Sequence, residues 1–138
     1  MGEFDQFKIK EYSLWDLFLH KAQFPYIGRC YAAAKRANAE SIIDITSTEA
    51  EELLQDVVPA WNDAVKTLYR HDWPNVTFLG NDWRHLHAHL IPRYFEPRVF
   101  HGITFIDQNP KGNYAPYPKK DWPLEFLLRI RDEIANAL

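Results

Sequence analysis

Trp83-Arg84-His85-Leu86-His87-Ala88-His89-Leu90-Ile91-Pro92-Arg93-Tyr94 is the stretch on which the reading of this chain turns. It holds three of the six histidines in 138 residues, at a spacing of two. Alternate side chains of a strand share a face. His85, His87 and His89 are therefore expected to project together, while Leu86, Ala88 and Leu90 turn into a core. The strand is read over residues 84–92, in a hairpin with a strand over 76–79 across the turn Gly80-Asn81-Asp82.

Three chemistries compete for such a row. A solvated polar face is the plainest, but His is an uncommon default for a surface. Two strand histidines at this spacing can ligate zinc with a third ligand from elsewhere. All three cannot, because the first and third Cα atoms of the row lie about 13 Å apart on a strand and Zn–N bonds are about 2 Å. A row of that length suits an extended substrate such as a chain of phosphates. Neutral imidazole attacks phosphorus, and imidazolium stabilises phosphate oxygens or protonates a leaving group. Phosphoryl or nucleotidyl chemistry is the reading that geometry favours.

Outward from this segment, residues 15–19 and 29–35 read as strands joined by the Pro- and Gly-punctuated turn Gln23-Phe24-Pro25-Tyr26-Ile27-Gly28. Thr46-Ser47-Thr48-Glu49 is a capping box, followed by an apolar stripe at Leu54, Val57, Trp61, Val65 and Leu68. That predicts one long helix, kinked or broken by Pro59. A short strand is expected over 102–107 and an irregular segment over 95–120. A C-terminal helix is expected over about 122–137, with Asp121 as N-cap, Pro123 in its first turn and an apolar face of Leu124, Leu127, Leu128, Ile134 and Leu138. No repeat or linker is evident, so residues 1–138 are read as a single domain.

Composition narrows the function classes. Sixteen Lys and Arg against nineteen Asp and Glu give a net charge of −3, which argues against a protein that coats nucleic acid through bulk charge. A single cysteine, Cys30, excludes an internal disulfide and a Cys-based zinc cluster; it is read as a small buried hydrophobe. No apolar run approaches a membrane span, and the N-terminal residues resemble neither a signal peptide nor a myristoylation site. The expected location is cytoplasmic, with no membrane partner. His20, His71 and His101 lack spacing partners and are expected to be surface or half-buried residues. Trp15 and Leu17 are read as core rather than as a base pocket.

The motif His85-Leu86-His87-Ala88-His89-Leu90-Ile91 resembles the signature of the histidine triad superfamily, and Pro92-Arg93 after it is typical of that group. Gly28-Arg29-Cys30-Tyr31-Ala32-Ala33-Ala34-Lys35-Arg36 resembles its Gly-His strand, and Ile43-Asp44-Ile45-Thr46-Ser47-Thr48-Glu49 resembles its loop into the long helix. The likeness runs from about Trp15 to Tyr94. It implies an α+β fold, with an antiparallel sheet of about five strands, a long helix and a C-terminal helix. It also implies a homodimer that binds nucleotides.

The resemblance further implies a nucleotide hydrolase acting on a dinucleoside polyphosphate or a nucleoside phosphoramidate. His87 would be the nucleophile that forms a nucleotidyl intermediate, with His85 and His89 as flanking catalytic residues. No resident cofactor or metal is implied, although a divalent ion can accompany such substrates. Three departures stand out. Arg29 occupies the place of a fourth histidine, and its planar fork suits phosphate oxygens. The loop before the triad is short and lacks a Gly-Gln pair, leaving Asn81 as its only amide. The extension after Tyr94 is long. These departures keep two alternatives open: a non-catalytic nucleotide-binding scaffold, and a protein that binds metal through two of the histidines.

Overall fold

The computed structural model describes residues 3–138. Five strands form one antiparallel sheet: β1 (Lys8–Glu11), β2 (Trp15–Leu19), β3 (Cys30–Ala34), β4 (Trp73–Thr77) and β5 (His87–Arg93), in the order β1-β2-β3-β5-β4. The sheet has the expected number of strands, but one member differs from the reading above. β1 fills an edge, and its Lys-rich sequence is what an edge strand uses to discourage further pairing. The strand expected over 102–107 instead forms β7 (Ile103–Phe105), which pairs with β6 (Arg98–Phe100) in a separate ribbon. β4 begins three residues before the expected strand. Pro74 is tolerated there because β4 is an edge.

Strand register sorts the side chains by the period of two. Leu17, Ala32 and Ala88 lie in one row across β2, β3 and β5, and Leu19, Cys30 and Leu90 in the next. All six are fully buried on the underside of the sheet. Trp15 joins them, as expected, with its indole N–H donated to the Glu49 carbonyl at 2.9 Å.

A helical run over residues 47–69 covers that underside. It comprises α1 (Ser47–Glu52), a π-turn (Leu53–Val57) and α2 (Val58–Tyr69). The capping box forms as the sequence predicts: Thr46 accepts from the Glu49 N–H at 3.1 Å, and the Glu49 carboxylate accepts from the Thr46 N–H at 2.9 Å. Pro59 does not break the run. The i→i+5 turn just ahead of it, in which the Val58 N–H reaches the Leu53 carbonyl, absorbs the proline's missing donor and bulk. The inner face shifts accordingly to Leu53, Val57, Trp61, Val65 and Tyr69, and Leu54, expected inside, is 60% exposed. A stripe advancing by four residues is slower than the 3.6 of a plain α-helix, and the wider π-turn accommodates the difference.

The turn before β3 is pinned to α2. Gly28 has φ +98°, and a Cβ there would stand 2.8 Å from Val65 Cγ1. The Trp61 indole N–H donates to the Gly28 carbonyl at 3.0 Å. The last helix, α3 (Leu124–Ala137), packs on α2 and β1. Its N-cap is Pro123 rather than Asp121, and its buried face is Leu127, Ile130 and Ile134; Leu124 and Leu138 are exposed. Among the described residues no helix is long and apolar enough to cross a membrane.

Candidate functional site

The upper face of the sheet carries His87 and His89. Phe18, Tyr31, His89 and Thr77 form one row across β2, β3, β5 and β4, and His87 lies opposite Ala33 beside it. Above them opens a cavity of about 820 Å³. Its walls come from five separate segments: Phe4 and Asp5, Phe18 and His20, Arg29 and Tyr31, residues 79–83, and Tyr114, Tyr117 and Lys119; His87 and His89 also line it.

His87 is 7% exposed, and its Nδ1 lies 2.5 Å from the His85 carbonyl. A carbonyl only accepts, so Nδ1 carries the proton and Nε2 keeps its lone pair. Burial pushes the His87 pKa below its ordinary value, outweighing the hydrogen bond that raises it. The ring is therefore neutral at pH 7, the form a nucleophile needs. His89 stands 5.0 Å from it, centroid to centroid, and is lowered to about 4 by burial, then by the charges of Arg29 and His87.

His85 does not share the row in the way the alternation predicts. β5 begins at His87, and His85 lies in the preceding bend. The Leu86 N–H there leaves the ladder for the Ala39 carbonyl at 2.9 Å. His85 lines a small side cavity with His87 rather than the main one. Its Nε2 donates to the Ala34 carbonyl at 2.6 Å. What it presents to His87 is its backbone carbonyl, the acceptor of the Nδ1 proton. Trp83 stacks on His85 at 5.0 Å and lies tilted against His87 at 4.7 Å, centroid to centroid.

The structure brings Arg29 and Asn81 to the same cavity, and adds His20, which sequence reasoning set aside. His20 follows β2, and its N–H bonds the Arg29 carbonyl at 3.1 Å. Its ring lies 5.8 Å from that of His89. His20 Nδ1 accepts the Ala22 N–H at 3.0 Å, so the proton sits on Nε2. Burial, and after it the Arg29 charge, lowers its pKa to about 2. The only sequence signal for it was the alternation Phe18, His20 running past the end of β2. His71 and His101 lie elsewhere, His71 on Asn62 and His101 on Glu133.

Arg29 is 3% exposed and has no carboxylate partner among the described residues. Its Nη1 donates to the Tyr117 hydroxyl at 2.8 Å, and its guanidinium lies 5.3 Å from the Tyr114 ring centre and 5.5 Å from that of Tyr117. Its buried Nε is without a partner, as is His89 Nδ1. Those tyrosines belong to the irregular segment, which is held down by Arg93. Arg93 Nε and Nη2 meet the Asp107 carboxylate at 2.7 and 3.0 Å, and the remaining donors reach Asn75 and the carbonyls of Asn109 and Gly112. Among the described residues no three His, Cys, Asp or Glu side chains cluster as a metal site requires.

No protein-family model matches the sequence, and no curated protein matches it. Solved structures do match. A histidine triad protein of Marinobacter aquaeolei VT8 superposes with a TM-score of 0.73 at 20% identity, over 95% of this chain and 87% of its own. A hypothetical histidine triad nucleotide-binding protein of Sulfolobus tokodaii gives 0.67 at 18%, over 95% and 82%. A zinc-bound histidine triad family protein of Mycobacterium smegmatis gives 0.61 at 16%, over 94% and 84%. A five-stranded antiparallel sheet with His87 and His89 on its open face, backed by one long helix, is the histidine triad fold, and this chain has it. The match runs through the segment after Tyr94, beyond the span in which the sequence resemblance was legible.

Proposed function

We propose that the chain is a nucleotide hydrolase that cleaves a nucleoside phosphate derivative through a nucleotidyl–His87 intermediate. The observation that carries this reading is the buried, neutral His87, whose Nδ1–H is tied to the His85 carbonyl, at the wall of a cavity rich in aromatic rings and cations. The fold it shares with a protein named as nucleotide-binding supports it. In the proposed reaction His87 Nε2 forms a bond to the α-phosphorus, and the bond to the leaving group breaks with its electron pair. Water then attacks the same phosphorus, the P–N bond breaks, and the nucleoside monophosphate leaves. His89 donates a hydrogen bond to phosphate oxygens as a neutral imidazole, and Asn81 does so from the turn. The stacked rings of Phe18 and Tyr31, 5.1 Å apart, offer a platform for the base.

A turnover screen over dinucleoside polyphosphates and nucleoside phosphoramidates, followed by acid-quench trapping, tests this. The expected result is a nucleotidyl adduct on His87. His87→Ala should lose at least a thousandfold in turnover, beyond the loss of one hydrogen-bond donor, while still binding nucleotide. Turnover close to the parent's in that variant, or an adduct elsewhere, overturns the mechanism. The same reading takes the molecule as a homodimer using an open sheet edge, β1 or β4, which light scattering decides.

A further inference from the structure

Resting on the reading of His87 as nucleophile, we propose that Arg29, Lys119 and the Tyr117 hydroxyl form a second anion subsite beside the triad, which holds the leaving group of the substrate as a phosphate anion. The first ground is the state of Arg29. A buried guanidinium normally takes a carboxylate, because stripping its water is costly. Arg93 does so in this very chain, with all five N–H donors matched. Arg29, equally buried, has one tyrosine hydroxyl, two ring faces and an idle Nε. Buried polar groups without partners are few in native proteins. Two of them, Arg29 Nε and His89 Nδ1, belong to residues lining this one cavity.

The second ground is position. Tyr31 pairs with His89 in the sheet register, and Arg29 lies two residues before Tyr31 on the same face. Arg29 therefore continues the row from His87 through His89 rather than duplicating it. Lys119 lines the same cavity, its ammonium 5.7 Å from the Tyr117 ring centre. Asp5 and Asp82 also line it, from the N-terminal turn and the loop before the triad.

The reaction's electron count agrees. When His87 Nε2 bonds to the α-phosphorus, the bridging P–O bond breaks and its electron pair stays on the departing oxygen. That oxygen leaves as an anion, which Arg29, Lys119 and the Tyr117 O–H stabilise, and no proton has to move. A phosphoramidate differs: the pair goes to nitrogen, and the amine must be protonated to leave. His20 and His89, which line the cavity with Arg29, are held below their ordinary pKa by burial and by the Arg29 charge. A subsite built on the fixed charges of Arg29 and Lys119 favours a leaving group that departs as an anion, which selects anhydrides over phosphoramidates.

Calorimetric binding of AMP, ADP and adenosine phosphoramidate to the full chain tests the proposal, with the guanosine series run in parallel. The parent should bind the diphosphate at least tenfold tighter than the monophosphate, and the phosphoramidate no tighter than the monophosphate. Arg29→Met should lose the diphosphate preference, keep monophosphate binding, and melt no lower than the parent, since its charge is unpaid for in the free protein. Lys119→Ala and Tyr117→Phe, on the accessible wall, should each cut the preference several-fold, and they decide the matter if Arg29→Met does not fold. Equal affinity for mono- and diphosphate in the parent, or a preference that survives the variants, overturns the subsite alone. Failure of any nucleotide to bind overturns the proposed function and the subsite with it.

Discussion

Replacing Arg93 with Met removes the fastener of the cavity's outer wall while keeping most of the side chain's length. In the parent, Arg93 is 2% exposed, the Asp107 side chain is fully buried, and two charge-assisted bonds of 2.7 and 3.0 Å join them. Three further bonds tie the guanidinium to Asn75, Asn109 and Gly112. The substitution leaves a carboxylate in the interior with only the Asn109 N–H, at 3.1 Å, for company. Removing one member of a buried pair costs about 3–5 kcal/mol, a large share of the roughly 5–15 kcal/mol that holds a domain together. The melting temperature should fall by more than about 10 °C, taking roughly 3–5 °C per kcal/mol at this size. Limited proteolysis should open the chain between residues 107 and 119. The double variant Arg93→Met/Asp107→Leu should recover much of the loss, because no buried charge is then stranded. Arg98→Ala, which breaks the partly exposed pair with Asp72 at 3.1 Å, is the control and should cost at most about 1 kcal/mol. A single Arg93 variant within about 1 kcal/mol of the parent, with residues 107–119 still protected, refutes the reasoning.

Acid should destabilise the protein before any carboxylate titrates. His71 and His89 are lowered to about 4 and His20 to about 2, all chiefly by burial, against about 6.5 when unfolded. The unfolded chain therefore binds more protons below pH 6.5, so stability is full above that value and declines as pH falls toward 4. The loss between pH 6.5 and 5 should be roughly 2–3 kcal/mol after allowing for partial exposure, and a melting temperature flat over that range would contradict it. Gly28→Ala should cost about 2–4 kcal/mol in urea titration, from the left-handed φ and the 2.8 Å approach to Val65; a loss under about 0.5 kcal/mol would mean that α2 gives way freely.

How much of this was legible in advance depends on how local each determinant is. The capping box at Thr46 and Glu49 involves four consecutive residues, and it formed as read. The alternation of His87, Ala88, His89 and Leu90 also held, because residues of both types obey the same period. The misplaced start of β5 has a different origin. Leu86 is buried like a strand residue although its N–H bonds to Ala39, so burial alternation outlasts the ladder and residue types do not mark where pairing stops. His20 was invisible because only the β2–β3–β5 register sets it beside His89. The tyrosine wall was invisible for the same reason: Tyr117 meets Arg29 across 88 residues of sequence. β1 was missed because a charged edge strand carries little apolar signal.

The two buried arginines show why the irregular segment belongs to the site rather than merely to the fold. Had residues 107–119 only to cover the sheet end, apolar packing around Tyr26 and Phe105 would have sufficed, and Arg93 would be a costly way to anchor it. Arg93 nevertheless turns four of its five donors to that segment, and the carbonyls of Asn109 and Gly112 that it fixes lie just ahead of Tyr114 and Tyr117. The consequence is that two phenol rings, and no carboxylate of that segment, are set against Arg29. A segment anchored by a fully matched cation thus encloses an unmatched one. The free energy withheld from Arg29 in the empty protein is what an anion recovers on binding, so nucleoside diphosphate should raise the melting temperature by more than the monophosphate does at equal concentration. Equal shifts for the two would place the unmatched charge of Arg29 outside the binding event.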